Sequence, residues 1–176
     1  NELAKLLRKQ MESRGYINFN IDEAKIICDE NGRAIDIKRR VQDEGEELIE
    51  CFMIAANETV ASAIYNMDLP FVYRVHDVPD PEKLQKLGTF IRQLGFQLRT
   101  SNKRSVQAKH INTLLDNCQG TNSQALIETL TIRTMAKAVY STSNIGHYGL
   151  AFPYYTHFTS PIRRYPDMMV HRLLSR

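Results

Sequence analysis

No stretch of this chain approaches the ~20 consecutive apolar residues that a membrane helix requires, which argues against a membrane partner. Cysteine is sparse: Cys28, Cys51 and Cys118 are odd in number, widely spaced and without a C-x-x-C pair. Neither a disulfide framework nor a zinc site is indicated, and a reducing, cytoplasmic compartment suits the pattern. No charged-then-apolar leader precedes the helix-like Asn1–Arg8 segment, so the chain reads as a piece of something longer. Acid is the scarcest class in the second half, where residues 83–176 carry only Asp116, Glu128 and Asp167.

What is present is ordinary for a globular chain. It has 176 residues, 43% hydrophobic and 24% charged, enough to bury a core without covalent staples. The net charge of +3 hides a division: residues 1–82 hold 17 acids against 10 bases, whereas residues 83–176 hold 13 bases. Seven Lys or Arg and no acid fall between Lys83 and Leu115. Such a single-sign field attracts a polyanion and holds it through phosphate contacts, which makes nucleic acid the leading partner. The competing explanation is that a basic half packs against an acidic half of the same chain.

The spacing predicts a helix from Leu3 to Met11 stopped by Gly15, then strands at Tyr16–Phe19, Ala24–Cys28 and Arg33–Lys38, the last two joined by an Asn31-Gly32 hairpin. A long core helix follows Asp43 as far as Asn66. Phe71–Val75 reads as a buried strand, and Asp80-Pro81 opens a helix ending near Gly95. Helical patterns cover Val106–Leu115 and Gln124–Tyr140, and Ser160-Pro161 is expected to start a final helix through Leu174. The sum is one α+β unit, a mixed sheet packed by several long helices with a helical C-terminal half.

Chemistry concentrates in Tyr140–His171, which holds three histidines, five tyrosines and two arginines. Thr159-Ser160-Pro161 predicts an N-cap whose free amides and helix dipole favour an anion, with Arg163 and Arg164 in the same turn to grip a phosphate bidentately. Tyr148, Tyr154, Tyr155, Phe158 and Tyr165 could offer faces to bases. Against this, either arginine could instead pair with Asp167 along the helix. His147, His157 and His171 lack metal-ligand spacing and read as hydrogen-bonded structural residues.

The segment YTHFTSPIRRYPDMMVHRLL resembles the signature of the ribonuclease II and ribonuclease R (RNB) family of processive 3′-to-5′ exoribonucleases. ELIECFMIAANETVA, FVYRVHDVPDPEKL and ETLTIRTMAKAVYSTSNIGHYGLAFPYYTHFTSPIRRYPD resemble further segments of the same domain in order, so the likeness covers essentially the whole chain. It implies hydrolysis of single-stranded RNA to nucleoside 5′-monophosphates, with Arg163 beside the scissile phosphate as a transition-state arginine. It implies RNA contacts at Glu50, with Glu47 a rival, and at Tyr155, Thr156, His157, Thr159, Ser160 and Arg164. It also implies Mg2+ as cofactor and no small-molecule one.

The chain departs from the family in lacking the aspartate-rich run that holds magnesium. Its one dense acidic run, Asp43, Glu44, Glu46, Glu47 and Glu50, opens a helix, where acids ordinarily complement the dipole. The expectation is therefore that residues 1–176 are part of a single RNB-type domain whose metal-binding aspartates lie outside this chain, and that the chain alone is inactive. The alternative is a catalytically inactive RNA-binding module of the same fold.

Overall fold

The computed structural model describes residues 2–19, 23–40, 42–98 and 108–175. In chain order these form α1 (Glu2–Arg14), β1 (Glu23–Cys28), β2 (Ala34–Arg40), α2 (Glu44–Asn66), β3 (Tyr73–Val75), α3 (Pro81–Gln93), α4 (Ala108–Cys118), α5 (Gln124–Thr134), β4 (Val139–Ser141) and α6 (Tyr165–Leu174). The α+β class expected from the sequence is the one observed. Among the described residues the strands make two antiparallel pairs, β1–β2 and β3–β4, rather than one continuous sheet.

Local chemistry explains the best-defined boundaries. Asp43 caps α2 by accepting from the Glu46 amide at 2.8 Å, while the Glu46 carboxylate reaches back to the Asp43 amide at 3.3 Å. This reciprocal capping box satisfies two of the donors a helix start leaves free. Asp80 caps α3 ahead of Pro81 by accepting from the Glu82 amide at 2.8 Å. In the β1–β2 turn, the Asp29 carboxylate accepts from the Asn31 and Arg33 amides, and Gly32 adopts φ +78°, which glycine does without strain.

Apolar burial assembles the elements. Ala4 and Met11 of α1 pack with Cys51 and Ile54 of α2 and with Phe152 and Tyr155. Ala61 and Ile64 of α2 join Tyr73 and Val75 of β3 and Val170 of α6. Leu87 and Ile91 of α3 meet Leu114 and Cys118 of α4 and Ile127 of α5. Each fully buried Ile or Leu contributes roughly 1.5–3 kcal/mol. By contrast, β1–β2 presents Ile26, Ile35 and Ile37 to solvent at 60%, 64% and 69% exposure.

Several expectations need correction. Tyr16–Phe19 forms no strand: Ile17 donates its amide to Gly149 O at 2.9 Å and Tyr16 O accepts from Asn112 Nδ2 at 2.7 Å, a tether rather than a ladder. The helix predicted over Gln124–Tyr140 stops at Thr134, because Met135 turns extended and Val139–Ser141 pairs with β3. α4 runs on to Cys118, and Val106 lies outside the described residues. Among the described residues α2 is the one helix long and apolar enough, by length and composition, to cross a membrane, although Glu50 and Glu58 interrupt its apolar run. Its buried face, Cys51, Ile54, Asn57, Ala61 and Ile64, nevertheless packs into the two cores just described.

Candidate nucleic-acid interface

Residues 154–164 run between α2, β3 and α6, and each neighbour fixes part of the segment. Asn57, 3% exposed, donates from Nδ2 to Tyr155 Oη at 3.0 Å and accepts the Phe158 amide on Oδ1 at 2.9 Å. The Arg74 amide donates to Tyr155 O at 2.9 Å, and Thr156 Oγ1 donates to Val72 O at 2.7 Å. His171 donates from Nε2 to Phe158 O at 2.9 Å and stacks on the Phe158 ring at 4.2 Å. The Tyr155–Phe158 part of the segment is thereby tied to α2, β3 and α6 through backbone and side-chain hydrogen bonds.

This placement revises part of the predicted contact set. Tyr155 is 6% exposed and Thr156 is fully buried, so both are inward anchors and neither presents a face to a strand of RNA. His157 is half-buried and its Nδ1 shares a 2.8 Å hydrogen bond with the Tyr140 hydroxyl. Burial, followed by the charges of Arg164 and Arg74, pushes its pKa down to about 4, so the ring is neutral near pH 7. Thr159 and Ser160 are half-buried. Glu50 lies on α2 two turns before Asn57, about 10 Å along the axis. Its carboxylate accepts from Gln42 Nε2 at 2.9 Å and stands 3.6 Å from Arg8 Nη2.

The Ser160–Arg164 stretch is where the structure departs furthest from the N-cap predicted there. α6 begins at Tyr165 with Arg164 as its capping residue, and residues before it form a tight turn in which the Arg163 and Arg164 amides donate to Ser160 O at 3.3 and 3.1 Å. The Ser160 amide is not free for an anion, because it donates to Asp167 Oδ2 at 2.8 Å. Arg164 donates to the same oxygen from Nε at 3.1 Å and Nη2 at 2.7 Å. Of the two pairings left open by the sequence, Arg164–Asp167 is the one formed. Arg163 is exposed, and its guanidinium has no hydrogen bond or ion pair among the described residues. The turn therefore separates two adjacent arginines by role: Arg164 is structural and Arg163 projects.

Two residues of the site escaped the sequence reading. Asn57 is a buried amide on the apolar face of α2, a polar interruption of the core helix read there from the sequence. Arg74 lies between buried Tyr73 and Val75 on β3, directly across from Tyr140 in the β3–β4 register, with its guanidinium 4.7 Å from the Tyr140 ring. Strand alternation alone places it on the outer face.

The ion pairs seen among the described residues fall within each half rather than between them. Among the described residues, Arg8 pairs with Glu47 and Glu50, Arg14 with Glu58, Lys38 with Asp36 and Arg40 with Glu46, all within the first 82 residues, and Arg164–Asp167 lies within the second half. No group of three or more His, Cys, Asp or Glu residues converges among the described residues. Asp43 and Glu46 are spent on the capping box, and Glu47 and Glu50 face Arg8. These acids do not fit a magnesium centre.

Asn57 of the long helix α2 thus anchors a strip that leads to one projecting arginine. Residues 1–176 match the RNB domain, and the chain belongs to that family. It is 47% identical over 98% of its length to ribonuclease R of Thermotoga maritima, covering 24% of that protein, and 35% identical to ribonuclease R of Escherichia coli, covering 21%. The structure of Mycoplasma genitalium RNase R in complex with ribose-methylated single-stranded RNA superposes with a TM-score of 0.92 at 37% identity, over 98% of this chain and 27% of that one. Yeast Ssd1, described as a pseudonuclease, superposes with a TM-score of 0.64 at 30% identity over 74% of this chain and 16% of its own. The chain thus spans about a quarter of the length of the ribonuclease R relatives.

Proposed function

We propose that this chain is part of a 3′-to-5′ exoribonuclease that hydrolyses single-stranded RNA processively to nucleoside 5′-monophosphates, and that Arg163 is its transition-state arginine. The observation that carries this reading is the unpartnered Arg163 guanidinium, projecting from a turn that Asp167 pins in a chain 47% identical to ribonuclease R. Negative charge builds on the phosphoryl oxygens as the phosphodiester is attacked, and a guanidinium fixed beside them lowers that barrier. Magnesium would supply Lewis-acid charge and an activated water, and its carboxylate ligands are assigned to the protein beyond residues 1–176. The residues of this chain bind and orient: His157, Thr159 and Ser160 belong to the strip, while Glu50 stands two turns before Asn57 on α2. Three free cysteines support a cytoplasmic location.

The test is an assay of the full-length protein on a 3′-labelled single-stranded RNA, with magnesium and with chelator. Metal-dependent release of mononucleotides from the 3′ end is expected. The likeness to Ssd1 favours a second reading, an RNA-gripping module without catalysis. Tight binding with no trimming under any metal condition would select it.

A further inference from the structure

Outside the residues already given a role, one cation stands out by its surroundings. Arg74 is half-buried on β3, with Tyr73 and Val75 turned into the core on either side. Its guanidinium rests on the ring of Tyr140 at 4.7 Å, its cross-strand neighbour. The Tyr140 hydroxyl is hydrogen-bonded to His157 at 2.8 Å, and the Arg74 amide holds Tyr155 O at 2.9 Å, so the cation is locked to the strip that leads to Arg163.

No carboxylate pairs with the Arg74 guanidinium among the described residues. The nearest acid in sequence, Asp77, uses its carboxylate to accept the Val78 amide at 2.7 Å. The nearby imidazoles are neutral near pH 7 and add no second cation: burial pushes the His76 pKa down, and burial with the charges of His76 and Arg74 pushes that of His147 down to about 3. An arginine held in place on a ring and without a carboxylate partner is available to an anion, and its planar fork suits a phosphate. Tyr140, 38% exposed, seats the guanidinium at 4.7 Å from its ring.

We propose that Arg74, seated on Tyr140 beside His157, binds a backbone phosphate of the RNA strand other than the one at Arg163. The inference rests on the RNA reading above and adds a second fixed phosphate contact. Two such points would set the register of the strand along the strip, so that a given phosphodiester comes to Arg163. Arg74 thus binds and positions, and does not touch the reacting atoms.

The experiment uses full-length protein and a fluorescent single-stranded oligoribonucleotide, titrated at several salt concentrations. Arg74→Gln is expected to weaken binding about tenfold, as for loss of a charge-assisted phosphate contact, and to reduce the salt slope by about 0.7. Arg74→Lys is expected to retain the slope while losing affinity, since the charge remains but the fork and its seat on Tyr140 are gone. Unchanged affinity and slope in Arg74→Gln, with wild-type binding intact, overturns this proposal alone. Wild-type protein that binds no RNA overturns both it and the proposed function. Should Arg74→Gln fail to fold, Arg74→Lys decides: unchanged affinity overturns the proposal and a loss at constant slope supports it.

Discussion

Arg164 and Asp167 meet through a single oxygen: Oδ2 of the fully buried aspartate accepts both Nε and Nη2 of Arg164, at 3.1 and 2.7 Å, and the Ser160 amide as well. One carboxylate therefore closes the turn from which Arg163 projects. Its Oδ1 is buried with no hydrogen-bond partner among the described residues.

Asp167→Ala should be strongly destabilising. It leaves a half-buried guanidinium and a backbone amide without their acceptor, a loss of about 3–5 kcal/mol for a broken buried pair. Urea unfolding of the variant checks it. Asp167→Asn, which keeps the shape, should fold and, in the full-length enzyme, lower kcat more than it raises KM.

Arg163→Lys should do the reverse. An exposed side chain without partners contributes within about 0.5 kcal/mol to stability. Cleavage by the full-length protein should nevertheless fall by orders of magnitude, because Lys offers a point charge where a planar fork is needed. RNA affinity should change little. Equal losses in affinity and turnover would make Arg163 a grip rather than a catalyst.

Asn57→Leu should cost about 3 kcal/mol, because it strands the Phe158 amide and the Tyr155 hydroxyl, both now bonded to the Asn57 side chain. Thermal unfolding of the isolated chain reports it.

Stability should decline on mild acidification. His157 and His147 are held neutral in the fold, with pKa values pushed down to about 4 and about 3 from 6.5. Below pH 6.5 the unfolded chain takes up protons that the folded chain does not, so stability is full above that pH and falls as pH drops toward 4 and then 3. The slope should approach two protons for the pair. His157→Gln should lower it by one, read from urea midpoints between pH 4 and 7.

Magnesium or chelator should leave the melting temperature of the isolated chain unchanged, since its helix-opening acids are engaged in the capping box and with Arg8. A rise on adding magnesium, measured calorimetrically, would place a metal site within these residues.

Features set by neighbouring residues were legible in advance. The helix start after Asp43, the Asp80-Pro81 start of α3 and the Asn31-Gly32 turn each close a hydrogen bond within four residues, so no distant partner can easily overrule them. Segregation of acid from base and the RNB likeness around SPIRR were equally plain, because both are properties of order along the chain. Where competition came from further away, local rules lost. Ser160 looked like an N-cap until Asp167 took its amide, which delayed the helix to Tyr165. Gln124–Tyr140 looked like one helix until β3 claimed Val139–Ser141 as a strand. Tyr155 and Thr156 carried the motif's chemistry yet turned inward, because Asn57 and Val72, about a hundred and about eighty residues away in sequence, accept or supply their hydrogen bonds. Sequence order alone settled the family and singled out an arginine pair. Which arginine of that pair is left free, and that Arg74 sits with Tyr140 and His157, were decided only by tertiary packing, since a buried carboxylate and a cross-strand ring choose their partners by distance in space and not along the chain.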